Sequence, residues 1–103
     1  MTAVRTTSPA ERDIAEATYW YLDNASDPET GRRFQAAVRA AVREIGERGF
    51  DSLGRDLDDP SVRYARVSRF PHLLIVRVAM DATIEVVALH HPSRDDAFWR
   101  SRL

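Results

Sequence analysis

The chain has 103 residues, 44% hydrophobic and 30% charged, a composition that suits a folded core and excludes an intrinsically disordered chain. It has no cysteine, which excludes disulfides, thiolate metal sites and cysteine nucleophiles. The formal net charge is −1, so bulk electrostatics make no case for nucleic-acid binding.

The opening Met1-Thr2-Ala3-Val4-Arg5 has no apolar run of signal-peptide length, and no later stretch could span a bilayer. The expectation is a cytoplasmic protein with a single domain over 1–103. Residues 3–7 read as a short strand. Ser8-Pro9-Ala10-Glu11 is a helix start, with Ser8 as cap and Glu11 completing a capping box. The first helix then carries Ile14, Thr18, Tyr21, Leu22 and Ala25 on one stripe. Asp27-Pro28-Glu29 repeats the start signal and predicts a tight helical hairpin. In the second helix Phe34, Ala37, Val38, Ala41, Val42 and Ile45 follow helical spacing, and Gly46 and Gly49 end it. That stripe reads as core.

Residues 51–60 are polar and read as a loop. Three strand-like runs follow, Val62–Val67, Leu73–Met80 and Ile84–His91, the first with an exposed arginine face and the last two joined at Asp81-Ala82. The tail after Pro92 allows one or two helical turns. The predicted fold is α+β. A short strand and a two-helix hairpin pack on a small, mainly antiparallel sheet in the order β-α-α-β-β-β, with a short C-terminal helical tail.

The stretch from Val62 to Val78, with Ile84-Glu85-Val86-Val87-Ala88-Leu89-His90-His91 and Ser93-Arg94-Asp95, resembles the RelE/ParE toxin superfamily, in particular its ParE-like, plasmid-stabilisation branch. Ser8-Pro9-Ala10-Glu11-Arg12-Asp13-Ile14 and Arg33-Phe34 resemble the family's first- and second-helix patterns. The resemblance covers nearly the whole chain and lies in the order and spacing of these pieces. It implies the growth-inhibiting toxin of a type II toxin–antitoxin pair, neutralised by a cognate, ParD-like antitoxin. ParE-like members inhibit DNA gyrase by binding it; RelE-like members cut messenger RNA on the ribosome. An inactive toxin-fold binding protein is a further alternative.

The resemblance also implies what an RNA cutter would need: an arginine at the start of the strand that opens with Leu73, and an acid–base group near the C-terminus. Leu73 and Pro92 stand there instead. The groups left for a nuclease are His90, His91, Arg77 and Arg94, although alternation lets only one of the two histidines face a given cleft. A two-residue turn at Asp81-Ala82 would pair Leu73 with His90 and set His72 beside His91, either as structural hydrogen-bonders or as acid–base groups. No third ligand accompanies these histidines, so no metal and no cofactor is expected.

For a protein target, Arg63, Arg66, Arg69, Arg94, Phe98 and Trp99 suit an interface. The arginines could equally pair with acids elsewhere, and Phe98 and Trp99 could fold back as the last piece of core. Of the run Tyr19-Trp20-Tyr21, at least one ring must leave the helix stripe, which makes Tyr19 and Trp20 candidates for the antitoxin contact.

Overall fold

The computed structural model describes residues 2–103; Met1, part of the opening stretch read for a leader, lies outside them. Strand β1 (Val4–Thr6) leads into helices α1 (Ser8–Asn24) and α2 (Glu29–Arg48), followed by a 3-10 turn (Phe50–Ser52). Strands β2 (Gly54–Arg55), β3 (Val62–Arg66), β4 (Leu73–Val78) and β5 (Ile84–His90) come next, and α3 (Ala97–Arg100) closes the chain. The five strands form one sheet in the order β1-β5-β4-β3-β2. Only β1 runs parallel to its neighbour, β5; the other pairings are antiparallel. The α+β expectation holds, and the two-residue β2 is an addition within the stretch read as loop.

The helix starts differ from the sequence reading in one detail. Thr7, not Ser8, is the cap of α1: its backbone is extended and its side chain accepts from the Ala10 amide at 3.4 Å. Ser8 is already helical, so Glu11 falls one residue past the reciprocal capping position. At α2 the Asp27 carboxylate takes the Glu29 amide at 3.0 Å and the Arg33 guanidinium at 2.8 Å. Gly49, at φ 83°, ends α2. Gly46 does not: it is a buried helical residue whose carbonyl accepts from the Thr2 amide, and a Cβ there would lie 2.9 Å from Thr2 O. It is small because the chain entering β1 crosses α2 at that point.

The β4–β5 hairpin reaches the expected register by an unexpected route. The turn holds three residues, Met80–Ala82, closed by Ala79 N–H to Thr83 O at 2.8 Å with Ala82 at φ 68°. Near the turn Val78 therefore pairs with Ile84. Val87 then bulges out of the ladder, and beyond it Ile75 pairs with Ala88 and Leu73 with His90. The longer turn and the bulge cancel, which is why a two-residue turn foretold the pairing at the far end correctly.

The sheet has two unequal sides. On one, Phe34, Val38, Ala41 and Ile45 of α2 and Ala10 of α1 bury against Ala65, Val67, Leu74, Val76, Val86 and Leu89. Each large apolar side chain buried this way contributes about 1.5–3 kcal/mol. On the other, Trp99 sits on Val62, Ile75, Val87 and Ala88, with Tyr64, Leu73 and Phe98 around it. No helix among the described residues is long and apolar enough to cross a membrane.

Candidate partner and target surfaces

The C-terminal tail crosses the sheet from edge to edge and is tied at both ends. Towards β2, the Arg100 guanidinium donates to both oxygens of buried Asp56, at 3.0 and 2.9 Å, and to Asp96 at 2.8 Å. Tyr64 donates its hydroxyl to the same Asp56 carboxylate. The Arg100 bonds hold Asp56 well below the usual carboxylate range, whereas burial and the adjoining Asp56 raise Tyr64 to about 12. Neither group exchanges a proton near neutrality. Towards β5, Arg102 binds Asp13 of α1 at 2.7 and 3.0 Å and the Val87 carbonyl at 2.9 Å, and Asp13 accepts the Leu89 amide at 3.2 Å. Asp13 and Arg102 thereby satisfy the edge of β5 beyond its short pairing with β1.

This arrangement reassigns two of the expected target contacts. Trp99 is 1% exposed and belongs to the core. Phe98 is half-buried, stacked on His90 with centroids 5.7 Å apart and covered by the Arg94 guanidinium at 3.8 Å. The arginine face of β3 is also divided. Arg63 is 6% exposed and faces the helix side, donating to the carbonyls of Phe50, Asp51 and Leu53 and lying over the Phe50 ring. Its role is to tie the 3-10 turn to the sheet. Arg66 and Arg69 are exposed as expected, Arg69 at φ 69° in the β3–β4 turn, and neither makes an ion pair among the described residues.

The groups considered for nuclease chemistry are dispersed. His90 lies on the tail side, against Phe98 and Trp99, with its pKa lowered chiefly by burial. His91 turns to the helix side, where its ring meets His72 at 5.0 Å as the pairing implied, and its Nδ1 meets Ser93 Oγ at 2.6 Å. His72 is buried among Tyr21 and Phe34, and its Nδ1 has no hydrogen-bond partner among the described residues. Burial, aided by His91 and His90, pushes its pKa down to about 4. Arg77 binds Glu85 at 3.3 Å. It lies four residues along β4 from Leu73, the partner of His90, or ~13 Å away. The side chains of Arg94 and His90 are brought together through Phe98, and the Arg94 amide donates to the His91 carbonyl at 2.9 Å. Among the described residues no three histidine, aspartate or glutamate side chains converge to hold a metal ion.

Two features present themselves to a partner. Tyr21 turns inward, leaving Tyr19 and Trp20 exposed on α1 at 65% and 58%. Hollows of about 330 and 360 Å³ between α1 and α2 are lined by Ile14, Val38 and Val42, and by Thr18, Leu22 and Gly31. The second feature is β3 beyond Tyr64, where β2 stops pairing. It opens on a groove of about 640 Å³ between α2 and the strand, floored by Ala41, Ile45, Leu53, Ala65 and Leu73 and edged by Arg48 and Arg66. That a sheet edge would serve the antitoxin was expected from the sequence; which strand leaves its edge open was not legible, since β2 was not visible in it.

The model of the ParE toxin of the type II toxin–antitoxin system parDE matches residues 4–96. Among solved structures, a chain of the chromosomal ParDE toxin–antitoxin system from P. aeruginosa is similar, with a TM-score of 0.72 and 20% identity over 88% of this chain and 96% of that one. A chain of the toxin–antitoxin complex RelBE2 from Mycobacterium tuberculosis has a TM-score of 0.58 and 18% identity over 87% of this chain and 96% of that one. At these identities the likeness concerns the fold. No curated protein matches the sequence. With the family pattern running through β1, the helical hairpin and the hairpin strands, this chain belongs to the ParE toxin family of type II toxin–antitoxin systems.

Proposed function

We propose that the chain is held silent by a cognate antitoxin and, when released, arrests growth by binding DNA gyrase as a protein. The observation that carries this reading is the filled sheet face: Trp99 and Phe98 occupy the side on which His90 lies. His91 faces the other side, Arg77 is engaged by Glu85, and Leu73 takes the place where an RNA cutter would have arginine. Inhibition by binding needs a surface rather than an acid–base pair, and Arg66, Arg69 and Arg94 suit one. Antitoxin binding is supported by the exposed Tyr19 and Trp20 above the helical hairpin and by the open edge of β3, which fit an amphipathic helix and an extended strand respectively. The two similar structures named above come from toxin–antitoxin systems, the RelBE2 one as a complex, in keeping with such a partner.

The test is supercoiling by purified gyrase with the purified chain added. Inhibition that is reversed by the antitoxin is expected; unaffected gyrase at stoichiometric excess of toxin sinks the reading. The stack of Arg94, Phe98 and His90 favours one alternative, a ribosome-dependent endoribonuclease centred on His90. Transcripts cleaved after induction, and left intact by His90→Ala and Arg94→Ala, would establish that alternative.

A further inference from the structure

We infer that the tips of the β2–β3 and β4–β5 hairpins form one docking surface for the target, and that the target meets it with an apolar pocket rimmed by arginine or lysine. The inference rests on the protein-target reading above. Val62 pairs with Arg77, so the start of β3 lies beside the end of β4 and both connections emerge at the same end of the sheet. Each carries a large apolar side chain pointing into solvent: Leu57 is 98% exposed and Met80 is fully exposed. A single exposed apolar residue is ordinary on a protein surface. Here two adjacent turns each show one, and both turns are firmly built.

In the first, Asp56 takes the Asp59 amide at 2.8 Å, Asp59 takes the Ser61 amide at 3.0 Å, and its carbonyl takes the Val62 amide at 3.0 Å. In the second, Ala82 N–H donates to Ala79 O at 2.9 Å and Thr83 N–H to Asp81 Oδ1 at 3.1 Å. These bonds hold the backbone of the two turns that present Leu57 and Met80, which lowers the ordering cost of binding.

Charge selects the partner. Asp58 and Asp81 are exposed and Asp59 half-buried beside the two apolar side chains, and residues 56–61 and 79–83 of the two tips include no cation. Of the cations near this end, Arg5 is engaged with Asp81 and Glu85, Arg77 with Glu85, and Arg100 with Asp56 and, at 3.8 Å, Asp58. Arg55, at the base of the β2–β3 tip, is exposed with no ion pair among the described residues. The tips themselves, with acids and no cation, suit a basic, apolar protein patch better than a phosphate backbone. The surface is also separate from the proposed antitoxin contact on α1. Tyr21 packs on Phe70 and His72 at the opposite end of β4, a strand length of ~20 Å away.

The test compares the unaltered chain with Leu57→Ser, Met80→Ser and the double variant for growth arrest on induction and for affinity to the antitoxin. Each single change is expected to weaken arrest by about tenfold and the double to abolish it. Antitoxin affinity should stay within about twofold, which also verifies that the variants are folded. Undiminished arrest by the double variant overturns the inference, as does a loss of antitoxin affinity in step with arrest. Stronger arrest by Asp58→Arg/Asp59→Arg would point to an anionic partner such as nucleic acid and overturns it too. Purified gyrase separates the two proposals. If the unaltered chain leaves gyrase untouched while the double variant still loses arrest, the gyrase reading fails and the docking surface stands. If both chains inhibit gyrase equally, the surface fails and the gyrase reading stands. If the unaltered chain causes no arrest, both fail.

Discussion

The same sheet is covered in two different ways. On the helix side, α2 contributes apolar residues at regular spacing, and stability comes from area: Phe34, Val38, Ala41 and Ile45 meet a row of strand residues. On the tail side, a helix of four residues supplies one large buried ring, Trp99, and its neighbours Arg100 and Arg102 anchor it to Asp56 and Asp13. A helix that short does not form unaided. The hairpin cover holds by local helix formation plus burial, whereas the tail depends on residues 44 and 89 positions away in sequence. The tail is accordingly expected to be the part that opens first.

The sharpest test of this contrast is truncation of one large ring on each side. Phe34→Ala and Trp99→Ala should each cost about 3–5 kcal/mol in urea unfolding. Only Trp99→Ala should raise amide exchange selectively in residues 93–103 and at Leu89. A cost under about 1 kcal/mol for Trp99→Ala would mean that the tail side is no core. Next in size is the clamp. Arg100→Ala leaves the Asp56 carboxylate buried without its guanidinium, and the loss should show as a clear drop in the urea midpoint. Adding Asp56→Asn should recover part of it, because the penalty lies in the stranded charge; a strictly additive double variant would speak against the clamp.

A smaller effect separates the sides by pH. His72 lies on the helix side with its pKa at about 4, below the ordinary histidine value of about 6.5. Between these values the unfolded chain takes up a proton that the folded chain refuses. Stability is therefore complete above about pH 6.5 and falls as the pH drops towards 4, by about 2 kcal/mol between about pH 7 and about pH 5. His90, also depressed, adds loss of the same sign. His72→Phe should flatten much of this slope in thermal melts at a series of pH values; an unchanged slope would remove His72 as its source. The smallest stability effect belongs to the outer surface of the helical cover. Trp20→Ser should change stability by less than about 0.5 kcal/mol while weakening the antitoxin complex by about tenfold, as read by calorimetry.

The helices and the central hairpin were legible because their signals are local. Phe34 to Ile45 repeat at helical spacing, and β4 and β5 are apolar runs that end at turn residues. The juxtaposition of His72 and His91 was legible too, although through a compensation: the bulge at Val87 undoes the extra residue of the turn. The fate of the arginines was not. Arg63 and Arg66 were expected on one exposed face, yet residues three apart in a strand point to opposite faces. Arg63 is buried beneath carbonyls of residues 50, 51 and 53, partners that no pattern within the strand could name.

Residues 62–99, with the helix starts before them, determined by themselves what family this chain resembles and how its main elements follow one another. Hydrophobic period and turn chemistry act over a few residues, and both are written along the chain. Whether Trp99 met a partner or closed the core, whether Arg63 faced solvent, and which end of the sheet carried free apolar tips were decided only in the tertiary structure. Each depends on groups far apart in sequence, on Asp56 and Asp13 receiving the tail and on β2 ending where β3 goes on. Those meetings make the tail side a sealed core and leave the surfaces available for recognition at the helical hairpin, the open strand edge and the hairpin tips.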